Sequence, residues 1–181
     1  MRTLSRDAAH VLWNQWWAEM NHSWFKLEVL PSYDGEDHVP SYFLWMEGRY
    51  EQSIAALSSP DVKWGQQCQA KVARGVQLQR IRIVGEPNPF IQWELHHYQQ
   101  VNIPAGEEVL IIDRSQVTNW PLPSGDVMIF DGLRAAQLAY DNTGRMTHGM
   151  FYEGPEDRTR LIELLRLQQS LLGIAQPLTF S

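Results

Sequence analysis

The chain has 181 residues, 44% of them apolar, and a formal net charge of −6. That is enough apolar material for one domain with its own core, and it excludes disordered, collagen-like and coiled-coil classes. Cys68 is the single cysteine, which excludes an internal disulfide and a cysteine zinc cluster.

The first element reads as a helix over 5–20, capped by Ser5 and carrying Ala8, Val11, Leu12, Trp16 and Met20 at three-to-four spacing. A strand over 24–30 follows, stopped by Pro31, and then a loop from Tyr33 to Pro40 with Asp34-Gly35 as turn chemistry. Residues 41–57 show aromatic and apolar side chains at helical spacing. Ser58-Ser59-Pro60-Asp61 breaks the pattern before a helix over about 61–74, where Gly75 takes the place of a C-terminal cap.

From residue 76 the pattern changes. Val76 to Val84 reads as a strand, and 90–99 is weighted toward helix over strand. Val109-Leu110-Ile111-Ile112 and Val127-Met128-Ile129-Phe130 are short unalternating apolar runs, each closed by an aspartate (Asp113, Asp131), which suits strands buried on both faces of a largely parallel sheet. Strands over 135–140 and 146–152 flank Asp141-Asn142-Thr143-Gly144, a hairpin signal. Pro155, Glu156 and Asp157 open a leucine-rich amphipathic helix that runs to about Ala175. The expectation is one domain over 1–181 of α/β class, with α+β as the alternative. Its mixed, largely parallel sheet would hold about five to seven strands, with a helical, aromatic-rich part (1–75), an α/β part (76–181) and a long C-terminal helix.

Charge narrows the partners. No stretch gathers five Lys or Arg; the densest basic segment, from Lys71 to Arg82, holds four. Phosphate neutralisation needs a basic face, so direct nucleic-acid binding is disfavoured on this ground. No run of 18 apolar residues occurs in the chain, and its start, residues 1–17, lacks an apolar signal core and a small-residue cleavage site, so the chain reads as cytoplasmic with no membrane partner.

Several stretches together resemble a known family. They are Ala73-Arg74-Gly75-Val76, Arg80-Ile81-Arg82-Ile83-Val84-Gly85-Glu86-Pro87 and Trp93-Glu94, with Asn102, Ala105-Gly106-Glu107, Arg114, Asp131 and Asp141 to Gly144 downstream. Phe25-Lys26-Leu27-Glu28 and Tyr33 extend the match upstream. The family is similar across most of the chain: small actinobacterial proteins with a domain of unknown function, often encoded beside helix-turn-helix regulators. The resemblance implies a bacterial regulatory setting and supplies no catalytic residues. More distantly, the element order resembles one half of a phospholipase-D-like domain, which in turn implies a possible homodimer. The His-x-Lys pair of the catalytic version is absent, which argues against phosphodiesterase chemistry.

The residues themselves offer one leading constellation. Arg80 and Arg82, two apart in a strand, leave the same face and could grip a carboxylate or phosphate, with Glu86 and Glu94 as natural neighbours. The simpler reading is an Arg–Glu ion-pair network, since structural networks collect the same charges. Trp93, Arg114 and Asp131 complete the candidate ligand-binding set. Glu94, His96 and His97 are metal-capable, but two or three such side chains at this spacing do not complete a zinc site. Asp34 to His38 is acidic without a calcium-loop register. Asp113 and Asp131 suit acid–base work or, more simply, turn capping. Cys68, inside a helix and without a neighbouring His, reads as structural. No metal or cofactor is called for, and no catalytic residue is assigned. Trp13, Trp16, Trp17, Trp24, Trp45 and Trp64 crowd the first part of the chain, marking core plus either a partner surface or an apolar pocket.

The expected function is a non-enzymatic regulatory or adaptor domain that binds an anionic small ligand or a partner protein such as a helix-turn-helix regulator. The alternative is a small enzyme of specialised metabolism with an Arg/Glu site in an aromatic pocket. Either reading expects that Arg82→Ala abolishes binding and leaves the melting temperature nearly unchanged.

Overall fold

The computed structural model describes residues 1–34, 39–57 and 63–179. The elements are β1 (Arg2–Ser5), α1 (Arg6–Glu19), β2 (Ser23–Glu28), α2 (Pro40–Met46), α3 (Tyr50–Leu57), α4 (Lys63–Val72), β3 (Gln77–Val84), α5 (Pro89–His97), β4 (Glu108–Asp113), β5 (Val127–Phe130), β6 (Arg134–Tyr140), β7 (Met146–Glu153), α6 (Arg158–Leu172) and β8 (Gln176–Pro177). A π turn, Tyr98–Asn102, continues α5. The turn proposed at Asp34-Gly35 and most of the acidic loop lie outside the described residues, as does the break at 58–61.

The eight strands among the described residues join one sheet in the order β1-β7-β6-β5-β2-β3-β4-β8. Only the β2–β3 and β3–β4 pairs are parallel; the other five are antiparallel. The expectation of a largely parallel sheet of fewer strands is therefore corrected. The run Val127–Phe130 is buried along its whole length, as an unalternating strand should be. It nevertheless lies antiparallel to both neighbours. An unalternating run reports that both faces are covered, not which way the strand points. Direction here is set by the tight Asp131-Gly132 turn, because only antiparallel strands can be joined by so short a link. The two unforeseen strands, β1 and β8, are short pieces at the sheet's outer edges, with residues too exposed to leave a hydrophobic pattern.

The helices divide between the faces. On one face, α6 packs Leu164 and Leu171 onto Phe25, Leu27, Ile81, Ile83, Ile112, Val127 and Ile129. On the other, α1 and α4 bring Ala9, Trp16 and Cys68 against Trp24, Leu78, Met128 and Phe130. Further along that second face, Trp45 of α2 meets Phe90, Ile91 and Trp93 of α5. Gly75 closes α4 at φ +83°, the left-handed conformation that its cap position requires. No described helix is long and apolar enough to cross a membrane.

Candidate functional site

Side chains alternate across a strand, so the second face of β2 and β3 receives Trp24, Lys26 and Glu28 from one strand and Leu78, Arg80 and Arg82 from the other. The parallel register sets Lys26 beside Arg80 and Glu28 beside Arg82. This puts four charged groups in a patch that the helices then cover. Arg82 is fully buried, and Glu28 and Arg80 are nearly so.

Burial on this scale demands partners, and three carboxylates supply them. Arg80 donates from Nε to Glu107 (2.7 Å) and from Nη1 to Glu28 (2.6 Å). Lys26 Nζ reaches the same Glu28 oxygen at 2.6 Å. Arg82 Nε donates to Glu94 at 2.6 Å. Tyr98, from the π turn, donates its hydroxyl to the second Glu28 oxygen. Burial pushes the Glu28 carboxyl up, but Arg80 and Lys26 outweigh it and hold the group well below the usual carboxylate range. Glu94 goes the other way: burial, reinforced by the nearby Glu28 charge and only partly countered by Arg82, pushes it up to about 7.

Above this charged floor lies a cleft of about 300 Å3. Its walls are aromatic: Trp13 from α1, Trp64 from α4, Trp93 and His97 from α5, with Trp24 and Tyr98 lower down. Arg80 holds its guanidinium carbon 5.5 Å from the Trp24 ring, 5.9 Å from Trp64 and 5.0 Å from Tyr98. Trp64 Nε1 donates to Glu107 at 3.3 Å and Trp93 Nε1 to Ser41 Oγ at 3.2 Å. Trp24 Nε1 is buried with no hydrogen-bond partner among the described residues. Asn102 donates from its amide to Glu107 at 2.5 Å and meets His97 Nδ1 through its oxygen at 2.9 Å. Burial, with Arg80 nearby, lowers His97 to about 4, so the ring is neutral at pH 7.

The structure brings together Arg80, Arg82, Trp93 and Glu94 of the residues singled out from sequence. Both arginines are engaged by carboxylates. Arg82 lies behind Glu94 rather than on the cleft wall, and its burial reverses the expectation that it could be removed without loss of stability. Glu86 and Arg114 lie elsewhere, on a groove of about 690 Å3 past the ends of β2 and β3, where Arg114 donates to the Val29 carbonyl. Asp131 is at the opposite end of β2. Its carboxylate accepts from the backbone N–H groups of Asn21 (3.1 Å), His22 (2.7 Å) and Ser23 (2.9 Å) and ties the β5–β6 turn to the start of β2. Asp113 accepts from Ser115 N at 2.8 Å and caps the short turn after β4. The metal-capable trio is dispersed: Glu94 pairs with Arg82, His97 with Asn102, and His96 stacks on Trp45.

Sequence reasoning missed Lys26, Glu28, Asn102 and Glu107 as members of the site. A signal was present for the first two, since Lys26 and Glu28 alternate with Phe25 and Leu27 in a strand that is otherwise apolar. Glu107 and Asn102 follow α5 and gave no local hint that they would fold back under Arg80 and His97.

Comparison with known proteins bears on the whole chain. Residues 12–178 match the family described as Domain of unknown function (DUF6879). The chain belongs to the DUF6879 family. Among curated proteins none matches it. One solved structure similar to this DUF6879 chain is that of TrmBL2, an archaeal chromatin protein described as showing a novel mode of DNA binding. The likeness covers 97% of this chain and 55% of that one, at 11% identity and a TM-score of 0.48. The DUF6879 chain thus spans about half the length of the chain it matches. The expectation that nucleic-acid binding is disfavoured by a net charge of −6 is corrected by this neighbour, a DNA-binding chromatin protein, and is withdrawn. A likeness at this level assigns no DNA contact to any residue of the DUF6879 chain.

Proposed function

We propose that this DUF6879 domain is a non-enzymatic, small-molecule-binding module of a regulatory system, with the tryptophan-walled cleft over β2 and β3 as its ligand site. The observation that carries the reading is the cleft itself: about 300 Å3 of aromatic-walled space on a floor of paired charges, with the buried Trp24 N–H unpartnered among the described residues. Buried ion pairs are a poor way to gain stability, because apolar side chains of similar volume do as well or better. Concave, aromatic-lined space with a few convergent polar groups is the usual form of a ligand site. The regulatory setting rests on the resemblance to proteins encoded beside helix-turn-helix regulators.

The test is a thermal-shift screen against a broad set of metabolites, repeated on Trp64→Ala. A ligand at a hundred times its dissociation constant adds about 2.7 kcal/mol. Hits that vanish in Trp64→Ala support the reading. Hits that persist there, or a silent screen, overturn it, and silence moves attention to a protein partner.

One observation favours a second reading. A carboxyl that titrates near neutrality at a cleft wall, as Glu94 does, is suited to proton transfer. On that reading the domain is a small enzyme of specialised metabolism. A hit consumed by the wild type but bound unchanged by Glu94→Gln would select it.

A further inference from the structure

The cleft's own hydrogen-bonding and charge balance narrow what it can hold. This inference rests on the cleft being the ligand site, and it names the ligand's class.

Charge comes first. With Glu94 ionised, three cations (Lys26, Arg80, Arg82) face three carboxylates (Glu28, Glu94, Glu107) around the cleft floor, and every one of the six is in a pair. An anionic ligand would compete with these carboxylates for their cations, and a cationic one with these cations for their carboxylates, so neither meets a free counter-charge among the buried arginines and glutamates. Nor is the aromatic wall a vacant cage for an ammonium group. The Trp24, Trp64 and Tyr98 rings already surround the Arg80 guanidinium at 5.0–5.9 Å.

Hydrogen bonding comes second. Trp24 lines the cleft, and its indole N–H, a donor only, has no acceptor among the described residues. His97 supplies the complement. The Glu107 carboxylate only accepts, so the Asn102 group facing it must be the NH2, which turns the Asn102 oxygen toward His97. That oxygen in turn only accepts, so His97 carries its proton on Nδ1. The ring is neutral, and Nε2 is therefore a bare acceptor. Beside its paired charges, the cleft lining thus includes a donor on Trp24 with no partner among the described residues and an acceptor on His97, between flat aromatic walls.

We propose that the cleft binds a neutral, planar heterocycle carrying a ring N–H beside a carbonyl, the pattern of nucleobases and unsaturated lactams. Its carbonyl takes the Trp24 N–H, its N–H meets His97 Nε2, and its ring lies along the indole walls.

The experiment uses a matched panel on the full chain at pH 7: uracil and hypoxanthine as neutral probes, orotate as the anionic analogue of uracil, and benzylammonium as the cation. Binding is read by tryptophan fluorescence and melting temperature. The expected result is saturable binding of a neutral probe, weakened about tenfold in Trp24→Phe, which keeps a ring and removes the one hydrogen bond. His97→Gln, a second variant checked for folding by circular dichroism, should weaken binding similarly. Binding of orotate or benzylammonium in preference to the neutral probes overturns the proposal and leaves the cleft as a site for a charged ligand. So does neutral binding that both variants leave intact. If the panel is silent while other metabolites bind in a Trp64-dependent way, the ligand class falls alone; if the broad screen is silent too, the cleft reading falls with it.

Discussion

The two faces of the central strands are built from the same six- and eight-residue segments, yet they obey different rules. The side chains that these strands bury under α6 are apolar: Phe25 and Leu27 from β2, Ile81 and Ile83 from β3, closed by Leu164 and Leu171. The opposite face carries Lys26, Glu28, Arg80 and Arg82 at the alternate positions, under a roof of indoles. Apolar clusters on both faces supply hydrophobic stabilisation. The charged network that the second face holds beside its cluster adds little net stability of its own.

The largest effect is expected from removing one member of a buried pair. Arg82→Ala leaves Glu94 buried without its cation and is expected to cost about 3–5 kcal/mol in urea unfolding. The double change Arg82→Met with Glu94→Leu removes both charges together and should recover most of that loss. On the face under α6, Ile81→Ala should cost about 2–5 kcal/mol, and there a second substitution has no partner charge to relieve. Further along the same sheet, Asp126 accepts from Tyr33 Oη at 2.6 Å and Tyr140 Oη at 2.9 Å. Tyr33→Phe should cost about 1–3 kcal/mol, because it leaves a buried carboxylate short of a donor.

Protonation sharpens the comparison further, since the titrating groups of interest sit on the charged face. His97, lowered to about 4 from 6.5, stays neutral in the fold while the unfolded chain takes a proton, so its contribution to stability is lost as pH falls from 6.5 toward 4. Glu94, raised to about 7 from 4.5, keeps a proton in the fold that the unfolded chain gives up, so its contribution is lost as pH rises from 4.5 toward 7. The two slopes oppose between 4.5 and 6.5. Melting temperatures followed across that window should fall more steeply with rising pH in His97→Gln than in the wild type, and rise more steeply in Glu94→Gln. The smallest effect belongs to the surface. The pair Arg49–Glu47, at 2.9 Å with both side chains at least half exposed, should change stability by no more than about 0.5 kcal/mol in Arg49→Ala.

Local signals carried most of the elements. The three-to-four spacing around Ala8, Leu12 and Trp16 marked α1, Gly75 the end of α4, the Asp141–Gly144 turn the β6–β7 hairpin, and the leucines after Pro155 marked α6. Strand direction was not legible, because Val127–Phe130 reads the same in either sense. Of the candidate site, Arg80 and Arg82 were legible from their two-residue spacing in one strand, Glu94 from its closeness to them in sequence, and Trp93 from the family resemblance. Glu86, close to them in sequence, turned out to face a different groove.

Sequence alone determined most of the elements and the Arg80/Arg82 share of the charged strand face, since periodicity and residue type are local properties. The tertiary structure decided everything that depends on distance across the chain. It set Glu28 and Glu107 on Arg80 from 52 and 27 residues away, and it brought Trp13, Trp64 and Trp93 around one cleft. It also left the Trp24 N–H without a partner among the described residues. Such pairings follow from strand order and helix placement, which are set by the burial of the whole chain, and no short window of sequence contains them.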